Sequence, residues 1–249
     1  MTAAVVDRLR AAGCVFAEEE AALLLAAGGE LDDLVARRVA GEPLEQVLGW
    51  AEFCGLRIAV EPGVFVPRRR TRLLVREAVA VAAPGALVLD LCCGTGAVGA
   101  AIAAAVGPVE LHAADVDPAA VRCARRNVAG AVHEGDLFDA LPDGLRGRVD
   151  VLVANAPYVP TDAIALMPTD ARDHEARAAL DGGADGLDVQ RRVLAGAGKW
   201  LAPGGRLLVE TSGRQAPATL GAFTAAGFRA RVVVDEELAG TVVVGVRRT

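Results

Sequence analysis

Four residues, Asn155-Ala156-Pro157-Tyr158, close the apolar run Val149-Asp150-Val151-Leu152-Val153 and could hold a planar, amide-like nitrogen while a methyl group is moved onto it. A carboxamide nitrogen has its lone pair delocalised into the carbonyl. Two acceptors that fix its two N–H bonds can aim the density it regains at an incoming methyl. Asn155 offers a side-chain carbonyl as the first acceptor and the backbone carbonyl of Ala156 offers the second. Pro157 bars Ala156 from the helical region and so fixes that carbonyl. Tyr158 presents a ring face to the flat group and to positive charge developing on nitrogen. The work is positioning: holding a nucleophile in line with a sulfonium S–CH₃ bond can contribute on the order of 7–11 kcal/mol. No strong general base is needed until the methylated nitrogen sheds its proton. Alone, the four residues read equally well as a turn, since Asn and Pro are common turn formers. Their position in the chain decides between the two.

Upstream, Asp90-Leu91-Cys92-Cys93-Gly94-Thr95-Gly96 ends one apolar run and opens a helix pattern, so backbone N–H groups face whatever lies over the strand's carboxyl edge. A pyrophosphate loop has the spacing G-x-G-x-x-G, whereas this loop starts with an acid. Asp90 repels phosphate but suits the α-amino group of a methionine moiety. Asp115, at the end of the next apolar run, can accept hydrogen bonds from both ribose hydroxyls. Asp136 follows the third run and can hold an adenine amino group, with Leu137 packing beside the ring. Each acid alone could merely cap a helix. Three acids after three successive strands point to S-adenosyl-L-methionine, released as S-adenosyl-L-homocysteine, bound by Asp90, Cys92, Cys93, Gly94, Thr95, Gly96, Asp115, Asp136, Leu137 and Asn155. Adjacent cysteines rarely bridge without strain, so Cys92-Cys93 reads as a pair of small space-fillers.

These loops need a rigid sheet behind them. Strand patterns at 86–91, 109–115, 131–135, 149–154, 205–211, 228–234 and 241–247 alternate with helix patterns near 97–106, 118–129, 188–200 and 214–226, which predicts a mainly parallel sheet covered on both faces. Only Asp235 to Gly240 separates the last two strands, too little for a crossover, so they form an antiparallel hairpin at one edge. Residues 3 to about 48 read as two or three short helices interrupted at Gly28-Gly29. The alternation from Trp50 to Val66 reads as a hairpin. The domains are therefore 1–48, helical and substrate-recognising; 49–67, a linking β-hairpin; and 68–249, catalytic.

Composition narrows the function classes. The chain has 249 residues, a net charge of −6, 53% hydrophobic residues and only 4% aromatics, so the core is built from Ala, Val and Leu. With Arg far outnumbering Lys but no net basic charge, broad nucleic-acid binding is disfavoured. Five cysteines show no C-x-x-C pair and no zinc-finger histidines, which gives no metal site and reduced thiols. No membrane span and no signal-peptide pattern in residues 1–7 are evident, and the expected location is the cytoplasm. His112, His133 and His174 share no ligand spacing. Arg68-Arg69-Arg70 reads as a solvated face or a contact for an acidic partner.

At this point the chain resembles the protein-(glutamine-N5) methyltransferases that modify peptide-chain release factors. The likeness runs through Gly41-Glu42-Pro43-Leu44, Gly49-x-x-Glu52-Phe53, Val66-Pro67-Arg68 with Thr71, Asp90 to Gly96, Asp115 to Pro118, Asn155 to Tyr158, His174-Glu175 with Ala179-Leu180, Gly182 to Asp188, and Glu210 with Gln215. The resemblance implies a class I S-adenosylmethionine-dependent methyltransferase fold, a seven-stranded mixed sheet with its last strand antiparallel, preceded by a small helical domain. It implies a glutamine side chain of a protein, a release factor among the candidates, as the acceptor. Asn155, Pro157 and Tyr158 match the family's Asn-Pro-Pro-Tyr clamp, with Ala156 in place of the first proline. That exchange is worth roughly 0.4–1 kcal/mol of backbone entropy and spares the carbonyl. Cys92 replaces a loop glycine, Ala176 a proline, and Arg69-Arg70-Thr71-Arg72 stands where Pro-Glu-Thr-Glu is usual. Glu175 and Arg177 lie where the chain runs past the site, and Glu175 is expected to line the substrate channel. Two principal alternatives remain at this stage, with methylation of a small molecule as a minor third. One is an exocyclic-amine methyltransferase of nucleic acid, which uses a similar clamp on a flipped base. The other is a weakly active cofactor-binding scaffold.

Overall fold

Helices at the start of the chain are cut by glycines free to take left-handed backbone. In the computed structural model, which describes residues 2–247, this region forms α1 (Thr2–Ala11), α2 (Ala17–Ala26), α3 (Leu31–Val39) and α4 (Leu44–Leu48). Four helices replace the expected two or three because Gly13 (φ 89°) and Gly41 (φ 98°) add two breaks. Their apolar faces meet in a small core that includes Val5, Leu9, Leu24, Val35 and Val47. Gln46 of α4 fastens this region to the rest: its buried amide donates to the backbone oxygens of Val64 and His174, each at 3.1 Å.

The hairpin is shorter than its pattern suggests. Strands β1 (Trp50–Phe53) and β2 (Leu56–Ala59) turn through Cys54 and Gly55, both with positive φ, as a two-residue turn matching the strand twist requires. Pairing ends at Ala59 rather than Val66, and residues 60–68 run on past the Pro62-Gly63 break.

The remaining chain alternates α5 (Arg72–Val79), β3 (Leu87–Leu91), α6 (Ala97–Val106), β4 (Glu110–Asp115), α7 (Pro118–Asn127), β5 (Ala131–Glu134), β6 (Val149–Ala154), α8 (Thr169–His174), α9 (Asp188–Trp200), β7 (Leu201–Glu210), α10 (Ala216–Ala225), β8 (Phe228–Asp235) and β9 (Gly240–Arg247). One seven-stranded sheet results, in the order β5-β4-β3-β6-β7-β9-β8, and only β9 runs antiparallel to its neighbours. Every residue of β3 is buried, as a central parallel strand demands. Alternate residues feed opposite faces: Val88, Val151 and Val153 pack under α5 and α6, while Leu89, Leu91 and Leu152 pack with Leu194 and Trp200 of α9. Full burial of each such side chain contributes roughly 1.5–3 kcal/mol.

One detail refines the pattern-based reading and a second differs from it. The last hairpin folds inward, so that β9, whose first six residues are buried, pairs with β7, while β8 with exposed Arg229 and Arg231 takes the edge. Strand β7 starts at Leu201, not 205: Leu201 already pairs with Val149, and a bulge across Pro203-Gly204-Gly205 precedes the regular ladder from Arg206. No helix among the described residues is long and apolar enough to cross a membrane.

Candidate active site

After β3 the chain moves outward through β4 to β5, then returns to β6 on the other side of β3. The loops leaving β3 and β6 therefore diverge, and a crevice opens at the strands' carboxyl ends. It is a cleft of about 1340 Å³, partly open to solvent.

One end is acidic. Asp90, the last residue but one of β3, is buried yet lines the cleft, and its Oδ2 accepts the Gly99 N–H at 2.9 Å. Burial pushes its carboxyl up to about 7, against the pull of that N–H. Asp115 ends β4 and holds the loop itself: one oxygen accepts the Gly94 N–H at 2.8 Å and the other the Asp117 N–H at 3.0 Å. A carboxylate has about four acceptor positions, so two remain for a ligand. Gly94 leaves room beside it, since a Cβ there meets only Phe65 Cβ at 3.9 Å. Cys92 adopts φ 56°, the conformation a glycine takes without cost. Burial raises the thiols of Cys92 and Cys93, so both are packing atoms rather than nucleophiles. Thr95 and Leu137 also line this end.

Asn155, Ala156, Pro157 and Tyr158 line the other end, where β6 stops. The Gly182 to Asp188 run lies behind them as a backing. Val159 N–H donates to Leu180 O at 3.1 Å and Gly182 N–H donates to Val159 O at 2.9 Å. Gln215 Nε2 adds bonds to Tyr158 O at 2.9 Å and Asp185 O at 3.0 Å. The approach is too close for side chains: a Cβ on Gly182 would lie 2.7 Å from Pro157 O, and one on Gly186 would strike Tyr158 O and Gln215 Nε2. Gly186 also has φ 78°. Gly186→Ala is therefore expected to lower stability by roughly 1–3 kcal/mol, read as a lower thermal midpoint, through strain and overpacking together. Tyr158 is anchored at its far end, its hydroxyl donating to Glu210 Oε1 at 3.2 Å. Burial, then the nearby Glu210 carboxylate, pushes that phenol up to about 12.

Three expected residues sit differently. Gly96 is not on the lining; its positive φ and a Cβ that would collide with Val128 and Ala124 make it the packing contact with α7. Glu175 does not line the cleft either. Its side chain is fully buried, with Oε1 accepting from Val66 N–H at 3.0 Å and from Arg68 at 2.7 Å, so it acts on the channel only through Arg68. Asp136 lines the cleft but is held by Arg192 at 2.6 Å.

Sequence reasoning missed Phe65, Arg68, Arg70, Thr71 and Arg192 on the lining. Of the arginine run, only Arg69 is the exposed residue the charge pattern suggested; Arg68 reaches Glu175, and Arg70 Nε reaches Glu210 at 3.3 Å. The Val-Pro-Arg…Thr likeness was the one signal pointing there. His112 and His133 stack on each other at 5.2 Å with a 2.9 Å ring-nitrogen contact. Among the described residues no group of three or more His, Cys, Asp or Glu is placed to hold a metal ion.

With this geometry in hand, similarity to known proteins is specific. The methyltransferase small domain family matches residues 55–185. The release factor glutamine methyltransferase of Geobacter sulfurreducens is 42% identical over 200 residues, 78% of this chain and 69% of that one. The 4-amino-L-phenylalanine/4-methylamino-L-phenylalanine methyltransferase of Streptomyces pristinaespiralis is 37% identical, over 78% of this chain and 69% of its own. Among solved structures, a methyltransferase from Pyrococcus furiosus superposes with a TM-score of 0.61 at 17% identity, covering 88% of this chain and all of that one, a likeness of fold alone.

Proposed function

Because the chain belongs to the release factor glutamine methyltransferase family, we propose that it transfers a methyl group from S-adenosylmethionine to the side-chain amide nitrogen of a glutamine in a peptide chain release factor. The observation that carries this reading is the Asn155–Tyr158 loop lining the same cleft as Asp90 and Asp115, from the adjoining strand end. When bound, the cofactor supplies a methyl already activated by its sulfonium. Asp90 would face its α-ammonium, the two spare acceptor positions of Asp115 would take its ribose hydroxyls, and Leu137 would pack beside its adenine. For Asp136 to reach the adenine amino group, its pair with Arg192 must open. Asn155 Oδ1 and the Ala156 carbonyl each accept one N–H of the glutamine amide, and Tyr158 covers its flat face. Transfer would exchange the cofactor's S–CH₃ bond for an N–CH₃ bond, and the glutamine nitrogen would give its surplus proton to water. The unpaired thiols suit the cytoplasm, where we place the reaction.

Net acidity and the lack of a basic target-recognition region set the nucleic-acid reading aside. The Streptomyces relative, named for a free amino acid's amine, makes a small-molecule acceptor the reading to keep beside this one. The deciding experiment is transfer of radiolabelled methyl from S-adenosylmethionine to purified release factors, with a release factor carrying Gln→Ala and the Asn155→Ala enzyme as controls. Label lost in both controls supports glutamine methylation. Label on no protein, with the cofactor bound, rejects it.

Asp90 gives the cofactor step a pH signature. Its folded value of about 7 lies above the unfolded value, so between about pH 4 and 7 the unfolded chain is ionised while the folded one holds the proton. Stability from this group therefore falls as pH rises through that window. An ammonium ligand favours the carboxylate, so binding must release the proton. Affinity for S-adenosylhomocysteine should rise by up to about tenfold per pH unit below 7 and level off above it. Titration calorimetry from pH 5.5 to 8.5 reads this, and Asp90→Asn should flatten the dependence.

A further inference from the structure

The cleft is electrically two-ended. Towards β3, β4 and β5 it presents Asp90, Asp115, Asp117 and Asp136 against a single cation, Arg192. Towards β6 and β7 it presents Arg68 and Arg70. The two carboxylates that pair with these arginines, Glu175 and Glu210, lie off the lining with side chains 0% and 1% exposed. What an acceptor meets at that end is guanidinium, with no carboxylate beside it.

Arg70 is the more available of the two. Arg68 is 25% exposed and sits over the Phe65 ring at 4.9 Å, its terminal nitrogen taken by Glu175. Arg70 is 42% exposed; its Nε donates to Glu210 at 3.3 Å and its guanidinium also lies against the Tyr158 hydroxyl. Beyond Glu210 and Tyr158 no acceptor engages it among the described residues. Glu210 also accepts from the Tyr158 hydroxyl, and the Arg70 guanidinium stands 5.9 Å from the centre of the Tyr158 ring. One buried carboxylate therefore orients both the ring that covers the acceptor amide and a cation beside it, and a guanidinium held by Nε keeps a planar pair of donors pointing outward.

We infer that Arg70 is a specificity-determining residue that binds a carboxylate of the protein substrate, an Asp or Glu side chain lying close to the clamped glutamine. The inference rests on the glutamine reading above and adds which glutamines are accepted. A glutamine in a neutral loop offers Arg70 nothing; one with an acid in reach gains a charge-assisted fork.

The test is a set of glutamine-containing peptides taken from a release factor, each with one Asp at one, two or three residues on either side of the glutamine, and each matched to its Asn counterpart. With the full-length enzyme, at least one Asp peptide should exceed its Asn partner by on the order of tenfold in kcat/KM, carried mainly by KM, as a partly exposed charge-assisted pair gives. That preference should weaken with added salt. It should fall to near unity in Arg70→Gln and persist in part in Arg70→Lys, which keeps a cation beside Glu210. Because the first comparison uses the unaltered enzyme, a poorly folded variant cannot hide the result. Equal rates for every Asp and Asn pair, or a preference that survives Arg70→Gln, overturns the inference and leaves glutamine methylation standing. Methyl transfer to none of the peptides or to any release factor, with the cofactor bound, overturns both.

Discussion

Asn155→Ala is expected to lower kcat for methyl transfer by roughly 10²–10³-fold, the usual cost of deleting one preorganised polar partner in a desolvated site. The reasoning runs through geometry rather than acidity. Asn155 carries no charge, lies beyond the last residue of β6, and ends a strand whose last four residues are buried, so its backbone position is set by the sheet. Removing the side chain takes away one of two acceptors while leaving Ala156, Pro157 and Tyr158 in place. An amide tethered by one N–H can rotate, and the fraction of time its lone pair meets the methyl falls. Stability should change by less than about 1 kcal/mol, as expected for a half-buried side chain with no internal partner. The measurement is single-turnover transfer at saturating cofactor together with cofactor affinity. A large fall in kcat with affinity held within a few-fold supports the clamp. An equal fall in affinity would mean that Asn155 serves the cofactor instead.

The second large effect belongs to Asp115. Asp115→Ala should weaken S-adenosylhomocysteine binding on the order of 10²-fold, because two charge-assisted bonds at about 1.5 kcal/mol each are lost together. The loop suffers as well: the Gly94 and Asp117 N–H groups lose the oxygens that hold them. Burial raises the Asp115 carboxyl, so this residue is held in the folded chain at some cost, and its removal should not unfold the protein. Asp115→Asn keeps the shape and one carbonyl acceptor and should fall between the two. Calorimetric titration checks the series. Binding unchanged in Asp115→Ala would remove the acid from the cofactor site altogether.

The large-scale layout was legible because burial writes itself into composition. Leu87 to Leu89 and Val151 to Ala154 are unbroken apolar runs since both faces of those strands are covered, and Asp90 and Asn155, the polar residues that follow them, stand out against that background. Local conformation was harder. Gly13 and Gly41 look like any helix-flanking residue until their φ values are seen, and nothing in the Trp50 to Val66 alternation marks Ala59 as the last paired residue. The arginines were misread for a different reason. A run of three cations normally faces water, yet Arg68 and Arg70 each find a buried carboxylate, 107 and 140 positions along the chain. Partners so distant leave no trace in local spacing. Glu175 was misplaced by the same blindness: its side chain is spent on Val66 and Arg68 rather than on the cleft.

Asn127, the last residue of α7, connects regions that the chain order keeps apart. Its amide accepts from Ala59 N–H at 2.8 Å and donates to the Ala59 and Thr95 carbonyls, each at 2.9 Å. A single side chain therefore spans the end of the hairpin and the glycine loop. Whatever favours one arrangement of that amide at the hairpin favours the matching arrangement at the loop. Thermodynamic reciprocity then dictates that any factor by which a ligand at the hairpin changes the affinity for a ligand over Thr95 is returned, unchanged, in the opposite direction.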